Sequence, residues 1–304
     1  MSTLPPVHAT RVLVVTAADS RFIGLLRGML QSLAPLLDAK EADLACFDLG
    51  LNARDRSWLS SRGAMLRSPG VHFGISEESH SPALRSFLTR PFLPDYFPGY
   101  DVYVWIDSDV WLQDVGVIRH YVASALKDGL AVTHERERAY RLQPWLLGWT
   151  AKHFLLGYGP LLGGYLLAMP HLNAGFFAAA AGAPHWAAWA RNYERAFRRT
   201  AALVPHDQFA LNHALHARGG ARLKSAILDP GNNWICDRGT PAWNDDRQAY
   251  CKPYAPYDPI GALHLAGPAK RKEYVIQRTG GGSFKTAILW GSSPENPQAV
   301  PKYE

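Results

Sequence analysis

Val102-Tyr-Val-Trp-Ile-Asp-Ser-Asp109 is the stretch on which the fold turns. Five apolar residues in a row, β-branched and aromatic, read as a strand buried on both faces. The run stops abruptly at Asp107-Ser108-Asp109. Two carboxylates at i, i+2 beyond a strand end point at one site in the mouth of a sheet. Side by side they repel, and a cation between them removes the repulsion. Oxygen donors without cysteine suit Mn²⁺ or Mg²⁺, which complete their shells with substrate phosphates. Taken alone, the tripeptide reads equally as a solvated turn with helix-capping aspartates.

Outward from this stretch, the first half alternates strands and helices. Arg11-Val-Leu-Val-Val-Thr16 is another buried strand, followed by a helix cap at Asp19-Ser20. Phe22, Leu25, Leu26, Met29, Leu33 and Leu36 then recur at helical spacing. Asp43–Asp48 reads as a strand, Asn52–Ser60 as a short helix, and Ser81–Tyr96 as a helical stretch broken at Pro91 and Pro94. This order predicts an α/β class protein whose mostly parallel sheet is flanked by helices, with ligands at the carboxyl ends of the strands.

The second half is less regular. Leu172–Phe177 reads as a strand, and Trp186, Trp189, Tyr193 and Phe197 mark one face of a helix. Phe154–Met169 has 16 residues with four glycines and Pro160 inside, too short and too broken for the roughly 20 residues of a membrane span. It reads as a buried or acceptor-facing loop, or as a surface touching a bilayer, because Trp145, Trp149, Phe154 and Tyr158 cluster there with Lys152. The end of the chain, from Lys270-Arg-Lys272 past Gly280-Gly-Gly282, reads as loosely structured.

Of the 304 residues 47% are apolar and 19% charged, enough for a large core and against disorder. Three cysteines (Cys46, Cys236, Cys251) exclude a disulfide framework or a zinc ribbon and suit a reducing compartment. Met1–Pro6 carries no basic region followed by an apolar core, so no signal peptide is expected and a cytoplasmic location is. A net charge of +6 favours phosphates, nucleotides or acidic lipid, and is too diffuse for nucleic acid.

Four further motifs carry chemistry. His264-Leu-Ala-Gly267-Pro-Ala-Lys270 offers an imidazole for a metal, a glycine for close backbone approach and a lysine for phosphate. His206-Asp207-Gln208-Phe-Ala-Leu-Asn212 opens a helix, where Asp207 also reads as a cap. The others are Asn173-Ala174-Gly175 and Thr16-Ala17-Ala18-Asp19 after the first strand. Each is bland alone.

In this order and together, these motifs resemble family 8 glycosyltransferases, which include glycogenin and bacterial lipopolysaccharide galactosyl- and glucosyltransferases. The resemblance runs over roughly residues 10 to 272. It implies a GT-A fold: a Rossmann-like nucleotide-binding sheet continuous with an acceptor-binding half, one domain over 1–272 and a partly irregular tail over 273–304. It implies transfer of a hexose, usually from a UDP-linked donor, with retention of configuration, by a covalent intermediate or by same-face attack. Carried over by residue, Asp107, Asp109 and His264 would hold Mn²⁺ (or Mg²⁺). Gly267 and Lys270 would meet the diphosphate, Ala17 and Asp19 the uracil, and Thr16, Arg90, Ser108, Ala174 and Gly175 the donor, with Arg85 the fallback for Arg90. Asn173, Asp207 and Gln208 would line the sugar, with Asp207 and Gln208 the catalytic pair. Asn232-Asn-Trp234 lies in a stretch similar to the segment before the family's last histidine. A saccharide, lipid-linked or lipopolysaccharide-type acceptor, with peripheral contact to the inner face of an anionic membrane, fits the apolar 144–170 stretch and Lys270-Arg-Lys272.

Three departures stand out: Arg271 where the family usually has Pro-Trp, Phe209 where many members have Asp or Gly, and the apolar 144–170 segment. A catalytically silent GT-A protein that binds sugar or acts as a scaffold is the alternative. A haloacid-dehalogenase-type phosphatase also opens with D-x-D-x-[TV], as Asp107–Val110 does, with Asn244-Asp-Asp246 as its late acidic motif. That family places the motif after its first strand, whereas two strands precede it here. A sugar nucleotidyltransferase lacks its glycine-rich basic loop after Thr16.

Overall fold

Strand β1 (Val12–Ala18) is buried along its whole length and lies at the centre of the first half of the molecule. The computed structural model describes residues 10–70, 72–74, 82–200, 207–216 and 223–301. After β1, Asp19 caps a single 3-10 turn that leads into α1 (Ile23–Asp38). There follow β2 (Asp43–Asp48), α2 (Ala53–Ser61), which Asn52 caps, and β3 (Met65–Arg67). The 81–96 region forms α3 (Pro82–Thr89) and α4 (Leu93–Tyr96), with a 3-10 turn at Arg90–Phe92 where the prolines predict the break.

Next come β4 (Val102–Ile106), β5 (Val110–Leu112), α5 (Gly116–Asp128) and β6 (Leu130–His134). The second half continues with α6 (Pro144–Tyr158), α7 (Pro160–Ala168), β7 (Leu172–Ala180), α8 (His185–Thr200) and α9 (Asp207–His216). It ends with β8 (Ser225–Leu228), β9 (Trp234–Ile235), β10 (Ala242–Asn244), β11 (Ala249–Cys251), β12 (Ala262–His264), β13 (Tyr274–Gln277) and β14 (Ser283–Thr286).

Seven strands form the main sheet in the order β3-β2-β1-β4-β7-β6-β8. All neighbours are parallel except at β7, which runs antiparallel to both β4 and β6. The side-chain alternation of each strand sorts the core into two layers. Val14, Cys46, Val104 and Phe176 face α1 and α5, with Phe176 stacked on Tyr121 at 4.1 Å. Val15, Phe47, Trp105 and Phe177 face the other side, where Trp186, Trp189 and Tyr193 of α8 close the layer. The three cysteines are buried and unpaired.

Two expectations need correction. The 154–169 stretch is not a loop: it forms most of α6 and α7, a helical hairpin hinged at Gly159-Pro160. Leucine-rich sequence favours helix, and apolar residues on the exposed as well as the buried side of the hairpin erase the 3.6-residue period that would reveal it. Among the described residues no helix is long and apolar enough to cross a membrane. The tail is also more ordered than expected. β13 and β14 pair across the Gly280–Gly282 turn, Ile276 and Ile288 are buried, and the Trp111 indole donates to the Ile288 carbonyl at 3.0 Å. His206, Ser81 and the 1–6 segment lie outside the described residues.

The hairpin depends on one glycine. A methyl at Gly163 would lie 2.4 Å from the Phe154 carbonyl oxygen, whereas one at Gly164 meets nothing within 4 Å. Gly163→Ala should therefore cost about 1–3 kcal/mol. Gly164→Ala should stabilise by up to about 1 kcal/mol through helix propensity. Urea unfolding of the two variants checks this, and equal effects would contradict the packing described.

Candidate active site

The antiparallel placement of β7 decides which residues meet at one rim of the sheet. The carboxyl ends of β1, β4 and β6 and the amino end of β7 all lie there. Asp19 follows β1, Asp107 follows β4, Glu135 follows β6, and Asn173–Gly175 open β7. The Asp107 amide donates to the Gly175 carbonyl at 2.8 Å, which fixes the first aspartate against β7.

The histidine arrives through a small second sheet. β12 pairs antiparallel with β5 and places His264 opposite Val110, one residue beyond Asp109. The Leu265 amide donates to the Asp109 carbonyl at 2.9 Å. As a result one donor atom from each of Asp107, Asp109 and His264 lies within 4.8 Å of the other two. The His264 Nε2 is 3.5 Å from Asp109 Oδ1 and 4.0 Å from Asp107 Oδ2.

A relay of amides sets the state of that imidazole. Glu135 is a buried carboxylate, and an ionised carboxylate only accepts. It accepts from Asn173 Nδ2 at 2.8 Å, which turns Asn173 Oδ1 towards the Gly175 amide (2.9 Å) and Asn233 Nδ2 (3.0 Å). Asn233 Oδ1 then faces His264 Nδ1 at 3.1 Å. An oxygen there requires the proton on Nδ1, leaving the Nε2 lone pair directed at the aspartates. Gly175 leaves the space for this: a methyl there would lie 2.5 Å from His264 Cε1 and 2.8 Å from Asp107 Oδ2. Two carboxylates and an imidazole with a free lone pair fit a divalent cation such as Mn²⁺ or Mg²⁺.

Cationic side chains hold the carboxylates in place. Arg90 is buried and bridges Asp107 and Asp207, the latter at 2.8 Å. Burial raises the Asp107 and Asp207 carboxyls, and Arg90 only partly offsets it. Burial also opposes ionisation of Asp109, but Lys270, in direct contact with it, outweighs that and lowers it. Glu135 behaves similarly. Burial would raise it, yet His171, Arg238 at 2.7 Å and Asn173 hold it at about 2.

A cavity of about 380 Å³ opens beside the triad, lined by five carboxylates (Asp107, Asp109, Glu135, Asp207, Asp237) and three cations (Arg90, Arg238, Lys270). Gly267, with a positive φ of 59°, Gln208, Asn173 and Gly175 also line it. A second cavity of about 180 Å³ shares Arg90, Asp107, Asp109 and Lys270 with the first. Its remaining lining includes Ala17, Asp19, Phe22, Leu49 and Ser108, largely apolar and suited to a flat ring.

Most of the residues singled out in the sequence meet here. Thr16 and Ala174 are the exceptions: both are fully buried within their strands and line neither cavity. Ala174 contributes its backbone instead, donating to Gln208 Oε1 at 2.9 Å. Arg85 donates to the Leu49 carbonyl at 3.5 Å, so Arg90 is the arginine of the cleft. Asn212 is buried rather than exposed, and bonds both polar groups of the Leu172 backbone, locking α9 to β7. Glu135 and Arg238 escaped the sequence reading. The signal for Glu135 is weaker than that for Asp107: an acid just past a short strand, Leu130-Ala-Val-Thr-His134, that itself ends in two polar residues.

Among solved structures, the chain shares its fold with the galactosyltransferase LgtC, solved in complex with donor and acceptor sugar analogs. The likeness covers 84% of this chain and 88% of that one at 16% identity, with a TM-score of 0.51. The bifunctional glycosyltransferase WbbM, in its apo structure, matches over 87% of this chain and 47% of that chain at 17% identity, with a TM-score of 0.53. The fold is thus the GT-A type of these glycosyltransferases. No family model and no curated protein matches the sequence.

Two outcomes are expected. Gly175→Ala displaces His264 and Asp107, so Mn²⁺ affinity by calorimetry should fall about 10–100-fold with circular dichroism unchanged. Glu135 is depressed, so its contribution to stability is full above its unfolded value of 4.5 and is lost as pH falls towards about 2. Wild type should exceed Glu135→Gln by on the order of 1–3 kcal/mol at neutral pH, with the gap closing under acid in urea titrations. A gap independent of pH would refute the charge assignment.

Proposed function

We propose that this protein is a metal-dependent retaining glycosyltransferase that moves a hexose from a nucleotide sugar, UDP-linked, to a saccharide acceptor, free, lipid-linked or of lipopolysaccharide type. The observation that carries the reading is the Asp107–Asp109–His264 group standing between two joined cavities on a GT-A sheet. The smaller cavity takes the base against Ala17 and Asp19, and the larger takes the sugar and the acceptor. Residues 1–272 form the transferase unit in this reading, and it acts in the cytoplasm, peripheral to a membrane.

Asp107, Asp109 and His264 Nε2 would hold Mn²⁺ or Mg²⁺. When bound, the ion neutralises charge that builds on the departing diphosphate. Lys270 reaches both cavities and adds its charge there, and such stabilisation accelerates transfer because it is stronger in the transition state than before it. Ser108 and the Gly267 backbone border the same region.

Of the catalytic pair, Asp207 keeps one buried oxygen, Oδ1, without a protein partner among the described residues. A sugar hydroxyl donating to it satisfies that oxygen, whose desolvation otherwise costs about 1–3 kcal/mol. The Gln208 amide is held at both ends, accepting from the Ala174 N–H and donating to Glu135 at 3.0 Å. It therefore presents a fixed edge to the transferring carbon. Asn173 spends its amide on Gly175, Asn233 and Glu135 and acts by positioning its neighbours.

Calorimetry with UDP tests the reading. Binding should require Mn²⁺ and should weaken by more than about a hundredfold in Asp109→Ala and His264→Ala, beyond the effect of an outer-shell change. Their circular dichroism should match wild type. If no nucleotide binds with or without metal, the fold serves a sugar-binding or scaffolding role instead.

A further inference from the structure

The helical hairpin beside the cleft carries large apolar side chains that stay exposed. Six exposed large apolar residues fall within residues 142–161: Leu142, Trp145, Leu147, Leu155, Leu156 and Leu161. Trp145 is 60% and Leu161 91% exposed. Scattered single leucines need no explanation, but six large apolar residues exposed within twenty positions are a cluster. The other side of the hairpin is anchored normally, with Phe154, Tyr158 and Leu166 buried against Ala196 and Phe209. The exposed side is therefore not a poorly packed core.

Three observations identify what covers it. First, the hairpin and the chain that flanks it carry charge of one sign. No acidic residue lies between Glu137 and Glu194, and those two are in ion pairs with Lys252 and Arg198. Exposed Lys152 sits within the surface, and exposed Arg141 precedes α6. Arg199 lies beside Gly159 at the hinge, and Arg136 bonds the Ala168 carbonyl at the far end of α7. Second, neither helix is long enough to span a bilayer, so an apolar face ringed by cations lies along an interface. Third, the surface is continuous with the cleft, because Trp145, Leu146 and Trp149 of α6 also line the larger cavity. An anionic bilayer matches both the apolar face and the cations at its edges.

We propose that the α6–α7 hairpin docks on an anionic lipid surface, with the mouth of the cleft facing the lipid headgroups. The leucines enter the acyl boundary, and Lys152, Arg141, Arg136 and Arg199 meet the headgroups. The cleft then receives an acceptor whose sugar stands at the membrane surface and whose anchor lies in it. That last step rests on the transferase reading; the docking does not.

Co-sedimentation with vesicles of phosphatidylcholine, with and without about one third phosphatidylglycerol, tests the docking. Binding should favour the anionic vesicles and weaken with salt. Leu156→Ser with Leu161→Ser, both exposed and outside the cleft, should weaken partition roughly tenfold per leucine. Lys152→Gln should weaken it roughly fivefold on anionic vesicles only. UDP binding by calorimetry should be unchanged in both variants. No sedimentation of wild type at low salt overturns the proposal, as does undiminished sedimentation of the double variant. Light scattering that shows a dimer falling to a monomer in the double variant also overturns it, because the face then serves self-association. Vesicle binding without UDP binding would leave the docking standing and remove the transferase reading; the converse would remove only the docking.

Discussion

A buried guanidinium with a carboxylate on either side joins the two halves of the molecule at the cleft. Arg90 comes from the turn between α3 and α4, Asp107 from the end of β4 and Asp207 from the start of α9. The arginine lies over Trp105 at 4.8 Å and Phe87 at 5.0 Å, so its faces are covered as well as its edges. Burying three charges together is costly in itself, and the cost is offset only while each keeps its partner. The arrangement therefore acts as a register: α9 sits where Asp207 meets Arg90, and the Trp189 indole, donating to the Asp207 carbonyl at 2.8 Å, ties α8 to the same point. Everything presented by α9, Gln208 and Asn212 included, inherits its position from that contact.

The second constraint is steric and lies across the cleft. Gly175 is the only residue type that lets β7 run beside both Asp107 and His264, since a methyl would sit 2.5 Å from the imidazole. Because β7 is antiparallel to its neighbours, its opening residues face the ligand rim rather than the opposite end of the sheet. A parallel strand in that place would carry Asn173–Gly175 to the far side. Topology thus does what sequence spacing alone does not.

This difference explains what was legible in the sequence. β2 and β4 are contiguous apolar runs, and their observed limits coincide with those read from the chain, Asp43–Asp48 and Val102–Ile106. The face of α8 was visible because large aromatic residues repeat at helical spacing. β5, β9 and β12 have two or three residues each and pair across long stretches of chain, so no local pattern announces them. The Glu135–Asn173–Asn233–His264 relay joins four segments by amide orientation, which a linear sequence does not display. Asp107 was found because its partner is two residues away; Glu135 was missed because its partners are 36, 38, 73 and 103 residues away.

Charge explains why an ion would suit the site. The protein as a whole is basic at +6, which favours anionic ligands at a distance. The larger cavity is locally the reverse, with five carboxylates against three cations on its walls. A diphosphate approaching that surface alone would meet net negative charge at short range and in a low-dielectric setting, where repulsion is strongest. Two of those carboxylates, Asp107 and Asp109, converge with the Nε2 side of His264. A divalent cation held there would offset that excess at the point where the two cavities join. In the proposed reading metal and diphosphate would bind as a pair, each making the site acceptable to the other, and the buried acids that alone would exclude an anion would hold it through the ion.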